Sequence, residues 1–406
     1  MTKASRFVIA GGGLAAAKLA EALRANDFDG TVTLVAAEDR LPYERPPLSK
    51  EHLLGKKELA EFTVDPAQWY RDHHIEVLLG TSIISLDRTT KTIALPDRTT
   101  LPYDKLALAV GSRPRLLRMP GADAEGVHVL RTIEDSDALL AVFASARRLA
   151  VIGAGWIGLE VTAAARAAGV EVTVLEAESV PLSAALGPEM GQVFADLHRE
   201  HGVDLRLGVK VAEITTADGK ATGVRLDDDT HIEADAVLIA IGARPNIELA
   251  ADAGLAVAGG VLVDESLATS DPDIVAVGDI AEQLHPVLEQ RIRVEHWANA
   301  LNQPAVAALT MLGKPAVYDR LPYFFTDQYD LGMEYTGYVA PKQQATVVVR
   351  GDVSKREFVA FWLDSGNRVL AGMNVNVWDV TDRIKELVLS AEAVDPARLA
   401  DTATPL

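Results

Sequence analysis

The sequence carries one Gly-rich pattern twice. G-x-G-x-x-A occupies residues 11–16 and G-x-G-x-x-G occupies residues 153–158, each directly after a short apolar run. Both are followed by an Ala-rich stretch, a second apolar run and a glutamate, Glu38 in the first unit and Glu176 in the second. Such strand–turn–helix–strand units bind dinucleotides, because the turn and the helix N-terminus face the pyrophosphate and the acid binds ribose hydroxyls. One match is weak evidence, but two complete units predict two dinucleotide sites.

The two units differ little in their predicted elements. Each unit is predicted to contain a first strand, a helix and a second strand. In the first unit they are expected at residues 6–10, 15–24 and 31–35, and in the second at residues 148–152, 159–168 and 170–175. A carboxylate at Glu176 would repel a 2′-phosphate, so the second site is expected to prefer NAD to NADP.

Each unit is also followed by a similar closing strand. The apolar runs 106–110 and 236–241 both end in a G-x-R-P turn, at Gly111 and Gly242. This repeat predicts two related nucleotide-binding domains of α/β class, each with a Rossmann-like parallel sheet.

The intervening and C-terminal segments have other patterns. Residues 87–103 and 204–230 alternate like antiparallel meanders with turn signals between the strands. From about residue 315, short strands and a helix at 380–390 predict an α+β domain, and the tail 395–406 is expected to be loosely ordered.

Composition excludes several classes of protein. The 406 residues carry a net charge of −19, which argues against broad nucleic-acid binding. The chain has no cysteine, so disulfide reductases and peroxidases with a reactive thiol are excluded. No apolar run reaches the roughly 18 residues that span a bilayer, and no signal-like segment precedes the first strand, so a cytoplasmic location is expected.

Longer motifs narrow the assignment. They are LPYERPPLSK at residues 41–50, AVGDIA at 276–281, RVEHWANA at 293–300 and PYFFTDQ at 322–328. Together with the two Gly-rich turns they resemble the FAD-dependent NADH:ferredoxin reductases of oxygenase systems, the putidaredoxin reductase and aromatic dioxygenase reductase family. The resemblance extends from about residue 5 to residue 390.

The resemblance implies a glutathione-reductase-like architecture and an activity. It implies a discontinuous FAD domain at 1–112 and 243–315, an NAD domain at 113–242 and a C-terminal interface domain at 316–406. It also implies that FAD accepts hydride from NADH at flavin N5. The electrons would then pass singly to a [2Fe-2S] ferredoxin that feeds a cytochrome P450 or a Rieske oxygenase.

The family pattern also implies site residues. The residues expected at FAD are Gly11, Gly13, Leu14, Ala15, Ala16, Glu38, Arg45, Lys50, Ala109, Gly111, Arg131, Asp279, Val294 and Trp297. The residues expected at NADH are Gly153, Gly155, Ile157, Gly158, Glu176 and Gly242. Lys50 is expected near flavin N5 in a Pro-rich, non-helical loop, with Glu160 as its partner.

Three of these residues also have a purely structural interpretation. Glu160 could be a surface helix residue, Trp297 a core residue and Asp279 a helix N-cap. The family often has arginine where Ala184 stands, so one adenosine contact of the family pattern has no counterpart at this position. It often has tryptophan where Phe325 stands; a phenylalanine there could still assist electron exit, or it could equally be a core residue.

Other functions compete with the reductase. They are an NADH oxidase, a flavoprotein like apoptosis-inducing factor, and a quinone reductase, which would need an amphipathic anchor. For the ferredoxin, a local basic rim is expected, with Lys50, Arg291, Arg293 and Lys314 as candidates.

Overall fold

The computed structural model describes residues 5–406, which form two compact units. The first unit contains residues up to 44, 59–113 and 244–323, and the second contains residues 45–58, 114–243 and 324–406.

A five-stranded parallel sheet forms the centre of the first unit. Its strands lie in the order Ile274–Ala276, Lys105–Leu108, Arg6–Ala10, Thr31–Val35 and Ile75–Leu78. The middle strands are apolar on both faces, as parallel strands covered on both sides must be. The strands predicted at 6–10 and 31–35 are confirmed.

The first dinucleotide helix, Leu14–Ala25, packs an alanine- and leucine-rich face into this core. Its small residues allow close approach to the sheet, and the helix ends at Asn26, whose amide Nδ2 donates to the carbonyl of Ala22 at 2.9 Å. A second long helix, Trp297–Met311, also contributes to the core. The shorter helices are Leu59–Phe62, Ala67–Asp72 and Glu248–Asp252.

Two small sheets complete the first unit. The predicted meander is confirmed as an antiparallel sheet of Ser85–Asp87, Thr92–Ala94 and Thr100–Pro102. The other sheet contains Val261–Val263, Ala281–His285 and Gln290–Arg293.

The second unit has its own parallel sheet. Its strands lie in the order Asp204–Leu207, Glu171–Glu176, Arg148–Ile152, Ala236–Ile239 and Val127–His128. The prediction that residues 204–230 form one meander was wrong at its start, because Asp204–Leu207 pairs parallel with Glu171–Glu176. An edge strand has one solvated face, so its alternating pattern resembles that of an antiparallel strand. The antiparallel sheet that follows contains Val211–Ala217, Lys220–Leu226 and His231–Glu233.

Three helices cover the parallel sheet of the second unit. They are Ile133–Ser145, Trp156–Ala167 and Ser183–Glu200. The first begins with a capping box, in which Thr132 and Asp135 satisfy each other's backbone N–H groups. The third is kinked at Gly187, whose φ of 76° lies outside the helical region.

The C-terminal segment adds a five-stranded sheet and two helices. The strands lie in the order Tyr323–Gln328, Leu331–Gly337, Val369–Val375, Glu357–Leu363 and Thr346–Asp352, and the helices are Thr381–Ser390 and Pro396–Ala400. The sequence had not indicated the strands at 331–337 and 369–375. Both contain glycine, which weakens the strand signal.

The tail is ordered, contrary to the sequence expectation. The guanidinium of Arg350 donates to the carbonyl oxygens of Asp401 at 2.5 Å and Thr404 at 2.6 Å. Leu399 is buried in the same region. One arginine thus satisfies backbone acceptors that a polar, proline-containing sequence would otherwise leave to water.

Across residues 5–406, the structure contains no helix that is both long and apolar enough to span a membrane.

Candidate functional site

The first Gly-rich turn packs tightly at one glycine and is open at another. Gly11 has a φ of +133°, and a Cβ there would lie 2.1 Å from the carbonyl oxygen of Ala109. At Gly13, which precedes helix Leu14–Ala25, a Cβ would meet no atom within 4 Å. The first glycine therefore lets the turn contact the closing strand, and the second leaves free space at the helix N-terminus.

The second turn repeats this geometry. Gly153 has a φ of +103°, and a Cβ there would lie 2.5 Å from the carbonyl oxygen of Ala240. A Cβ at Gly155 would again meet no atom within 4 Å. At Gly158, a Cβ would lie 2.3 Å from the carbonyl oxygen of Gly153, so this position needs glycine for helix packing.

Both turns fit a pyrophosphate. Each open glycine is the N-cap residue of an α-helix, where unpaired N–H groups and the positive end of the helix dipole favour an anion. The side chains of Leu14, Ala15 and Ala16 are buried, so these residues would face a phosphate only with their backbone. Ile157, by contrast, is 43% exposed at the start of the second helix.

Of the two predicted ribose acids, Glu176 is the last residue of strand Glu171–Glu176, and Glu38 follows the end of strand Thr31–Val35 by three residues. The hydroxyl of Tyr43 donates to Glu38 Oε2 at 2.5 Å. Glu176 Oε2 accepts from the backbone N–H of Ala154 at 2.6 Å, and its Oε1 accepts from Glu178 N–H at 3.0 Å. The Glu176 carboxylate is thus held against the Gly-rich turn itself.

We expect Glu176→Ala to relax the choice between the two nicotinamide dinucleotides. Without the carboxylate, a 2′-phosphate meets no like charge, so the preference for NADH over NADPH should fall by about tenfold or more, as expected for loss of one charged contact. Steady-state kcat/KM for both cofactors measures the ratio, with Glu178→Ala as a neighbouring control that should keep it. An unchanged ratio in Glu176→Ala would contradict the assignment.

Three further FAD candidates of the first unit follow other strands of the same sheet. Ala109 and Gly111 follow strand Lys105–Leu108, and Asp279 follows strand Ile274–Ala276. The carboxyl ends of parallel strands meet at one edge, so these residues and the first Gly-rich turn lie at the same edge of the sheet.

Asp279 lies in the 3₁₀ turn Gly278–Ile280 and is not the N-cap of an α-helix. Its Oδ2 accepts from the hydroxyl of Ser112 at 2.7 Å, a partner that sequence reasoning missed. Of the two candidates that follow along the chain, Val294 is buried and Trp297 is half-buried as the first residue of helix Trp297–Met311.

The Pro-rich segment belongs to the second unit and is not an irregular loop. Pro46–Ser49 forms a 3₁₀ turn, contrary to the expectation of a non-helical loop. Proline is tolerated in a first turn, because its missing N–H would have no partner there. The guanidinium of Arg45 donates to the carbonyl oxygen of Arg131, so these two FAD candidates are in contact.

A buried ion pair joins this segment to the second dinucleotide helix. Lys50 Nζ lies 2.8 Å from Glu160 Oε1, and the side chains are 10% and 6% exposed. Glu160 is therefore not a surface residue. The Lys50 ammonium also lies 5.4 Å from the centre of the Phe325 ring.

Two hydroxyls complete the surroundings of the Glu160 carboxylate. Ser49 donates to Oε2 at 2.5 Å and Thr326 donates to Oε1 at 2.6 Å. Sequence reasoning missed both roles, although Ser49 lies in the LPYERPPLSK motif and Thr326 in the PYFFTDQ motif. With three donors, the carboxylate is well satisfied despite its burial.

The other residues singled out from the sequence have looser surroundings. Gly242 has a φ of +97°, and a Cβ there would reach only the Arg115 side chain, at 4.0 Å. Ala184 is exposed in the first turn of helix Ser183–Glu200.

The expected basic rim is only partly available. Lys50 is buried against Glu160 and cannot serve as a surface charge, which corrects that expectation. Arg293 is half-buried and paired with Glu295. Arg291 and Lys314 are exposed and remain candidates. Within residues 5–406, no cluster of three or more histidine or acidic side chains could hold a metal ion.

Comparisons with known proteins agree with this geometry. The family model for pyridine nucleotide-disulphide oxidoreductases matches residues 5–303, and the model for the reductase C-terminal domain matches residues 323–406. Rhodocoxin reductase of Rhodococcus erythropolis is 40% identical over 98% of this chain and 92% of the relative. The anthranilate 1,2-dioxygenase system ferredoxin–NAD(+) reductase component of Burkholderia cepacia is 40% identical over 98% of this chain and 97% of the relative.

A solved structure has the same fold. It is putidaredoxin reductase in its covalent complex with putidaredoxin, with a TM-score of 0.95 and 34% identity, covering 100% of this chain and 97% of that chain. The fold and the two turns define a two-dinucleotide flavoprotein. The chain belongs to the pyridine nucleotide-disulphide oxidoreductase family and, within it, to the FAD- and NAD-dependent ferredoxin reductases of oxygenase systems.

Proposed function

We propose that this chain is an NADH:ferredoxin oxidoreductase that supplies electrons to a cytochrome P450 or a Rieske oxygenase through a [2Fe-2S] ferredoxin. The observation that carries the proposal is the pair of Gly-rich turns, each open only at the glycine before a helix. Two dinucleotide sites in a chain without cysteine favour direct transfer from NADH to flavin over thiol chemistry. The printed names of the relatives, which include ferredoxin–NAD(+) reductase and a complex with putidaredoxin, support the acceptor.

The chain's own residues supply binding and electrostatics. When bound, FAD provides the redox chemistry, because it takes up a hydride and releases electrons singly. Gly13 and Gly155 admit the two pyrophosphates, and Glu38 and Glu176 accept from the riboses. We assign the other predicted FAD and NADH residues to the same two sites on the family pattern.

The Lys50–Glu160 ion pair supplies buried charge. Its charges lie away from water, so they act on a neighbouring group more strongly than surface charges do. We propose that the Lys50 ammonium stabilises negative charge on the reduced flavin and that Glu160 holds Lys50 in place. No side chain needs to donate a proton in the hydride step.

The proposal includes the domain division and location predicted from the sequence. Residues 1–112 and 243–315 would bind FAD, 113–242 NADH, and 316–406 would form the interface domain. The separate match of the reductase C-terminal model to residues 323–406 supports the last of these. A cytoplasmic location is proposed because NADH is the reductant.

Electron transfer is tested directly with the purified flavoprotein. We expect anaerobic NADH, and much less NADPH, to bleach the flavin, after which oxidised [2Fe-2S] ferredoxin is reduced. The rate of ferredoxin reduction should change with salt concentration, since charges on the docking surface steer the ferredoxin. Arg291→Glu and Lys314→Glu should each slow ferredoxin reduction and leave flavin bleaching unchanged.

Two outcomes would contradict the proposal at different levels. Bleaching without ferredoxin reduction would move the function to an NADH oxidase or another acceptor. Failure to bind FAD, even after reconstitution, would overturn the assignment of the first site.

A further inference from the structure

A line of buried polar side chains extends from Glu160 through Thr326 and Gln328 to His198. Thr326 Oγ1 donates to Glu160 Oε1 at 2.6 Å and accepts from Gln328 Nε2 at 3.1 Å. Gln328 Oε1 lies 2.9 Å from His198 Nε2, and the Tyr329 hydroxyl lies 3.3 Å from His198 Nδ1. Thr326, Gln328 and His198 are each at most 1% exposed.

The chemistry of these groups allows only one direction for the hydrogen bonds. A carboxylate accepts only, so the single hydrogen of Thr326 points to Glu160. Gln328 must then donate to Thr326 through its amide nitrogen, which leaves its oxygen facing His198. The proton of His198 is therefore on Nε2, and Nδ1 accepts from Tyr329.

The surroundings of His198 keep its ring neutral. Burial is the main cause that lowers the pKa of His198, to about 4, although the hydrogen bond with Gln328 opposes this effect. The far end is also packed against a second histidine, since the Tyr329 ring stacks on His201 with centroids 3.7 Å apart and an interplanar angle of 11°.

We propose that Tyr329, His198, Gln328 and Thr326 form a one-directional hydrogen-bond chain that positions the Glu160 carboxylate and holds His198 in its Nε2–H tautomer. This hydrogen-bond chain ensures that a donor always faces Glu160 Oε1, so the carboxylate cannot turn away from the Lys50 ammonium. These four are positioning residues that act through Glu160. The inference rests on the proposed role of the Lys50–Glu160 pair in flavin reduction.

The first measurement is independent of activity. Histidine nitrogens are labelled with ¹⁵N in the FAD-loaded protein, and His198→Asn identifies the His198 signals among the nine histidines. We expect the Nε2–H tautomer in the parent protein. In Thr326→Val, Gln328 loses its acceptor and its amide is free to turn over, so the His198 signals should shift toward the other tautomer. Thr326→Ser keeps the hydroxyl and should keep the parent signals.

The second measurement is the rate constant for flavin reduction by NADH. Thr326→Val should lower it by about tenfold, as expected for one hydrogen bond to a charged group. The Kd for NADH should be unchanged, and Thr326→Ser should restore the rate.

Each result decides the inference. The proposed hydrogen-bond chain would be overturned by an Nδ1–H tautomer of His198 in the parent protein, or by His198 signals that do not respond to Thr326→Val. This holds even if a variant lost activity. The role of the ion pair is tested separately by Lys50→Met. If Lys50→Met reduces flavin at the parent rate, the proposed function of the ion pair fails. The tautomer of His198 in the parent protein still decides whether the hydrogen-bond chain exists.

Discussion

Replacing Glu160 with leucine is expected to destabilise the second unit and slow flavin reduction together. The change leaves the Lys50 ammonium buried without its carboxylate, and removing one partner of a buried ion pair costs roughly 3–5 kcal/mol. Urea unfolding followed by far-UV circular dichroism should show the lost stability. Rapid mixing with NADH should show a rate constant lower by at least about tenfold, which corresponds to about 1.4 kcal/mol of barrier.

The double variant Lys50→Met/Glu160→Leu separates stability from chemistry. Two apolar side chains remove both charges, and such replacements of buried pairs are often neutral or stabilising. We expect the double variant to recover most of the free energy of unfolding and none of the rate. Recovery of the rate as well would show that the pair serves folding alone.

Alanine at the open glycines is expected to abolish one dinucleotide site at a time. At Gly13 and Gly155 a Cβ meets no protein atom within 4 Å, so the fold should tolerate the methyl group. The same methyl would occupy the space that a pyrophosphate needs. Gly13→Ala should therefore lose FAD, whereas Gly155→Ala should keep FAD and weaken NADH binding by about a hundredfold, as for about 2.7 kcal/mol of lost contacts.

The packed glycines are the matched controls. Gly11→Ala places a Cβ 2.1 Å from a carbonyl oxygen, and Gly153→Ala places one 2.5 Å from a carbonyl oxygen. Both residues also have a positive φ, which strains alanine. These two variants should therefore act mainly by lowering the free energy of unfolding. Flavin absorbance, NADH titration and thermal unfolding distinguish the two classes. Equal loss of stability at all four positions would mean that the open glycines are structural.

The sequence by itself determined the two dinucleotide units. Local spacing was sufficient, because a strand, a glycine turn, a helix and an acid are neighbours along the chain. Glu38 and Glu176 could therefore be placed from their distance after the turn, and their strands were predicted to within a residue. The absence of cysteine likewise needed no structure to exclude thiol chemistry.

Tertiary structure alone decided which hydroxyls donate to Glu160. Ser49 precedes it by 111 positions and Thr326 follows it by 166, and no local pattern reports a hydrogen bond over such separations. The same holds for the edge strand Asp204–Leu207 and for the tail, whose order depends on Arg350. Burial and hydrogen bonding between distant segments arise only when the chain is folded. The family motifs were therefore enough to pair Lys50 with Glu160, but only the structure removed Lys50 from the basic rim, because its ammonium is buried against that carboxylate.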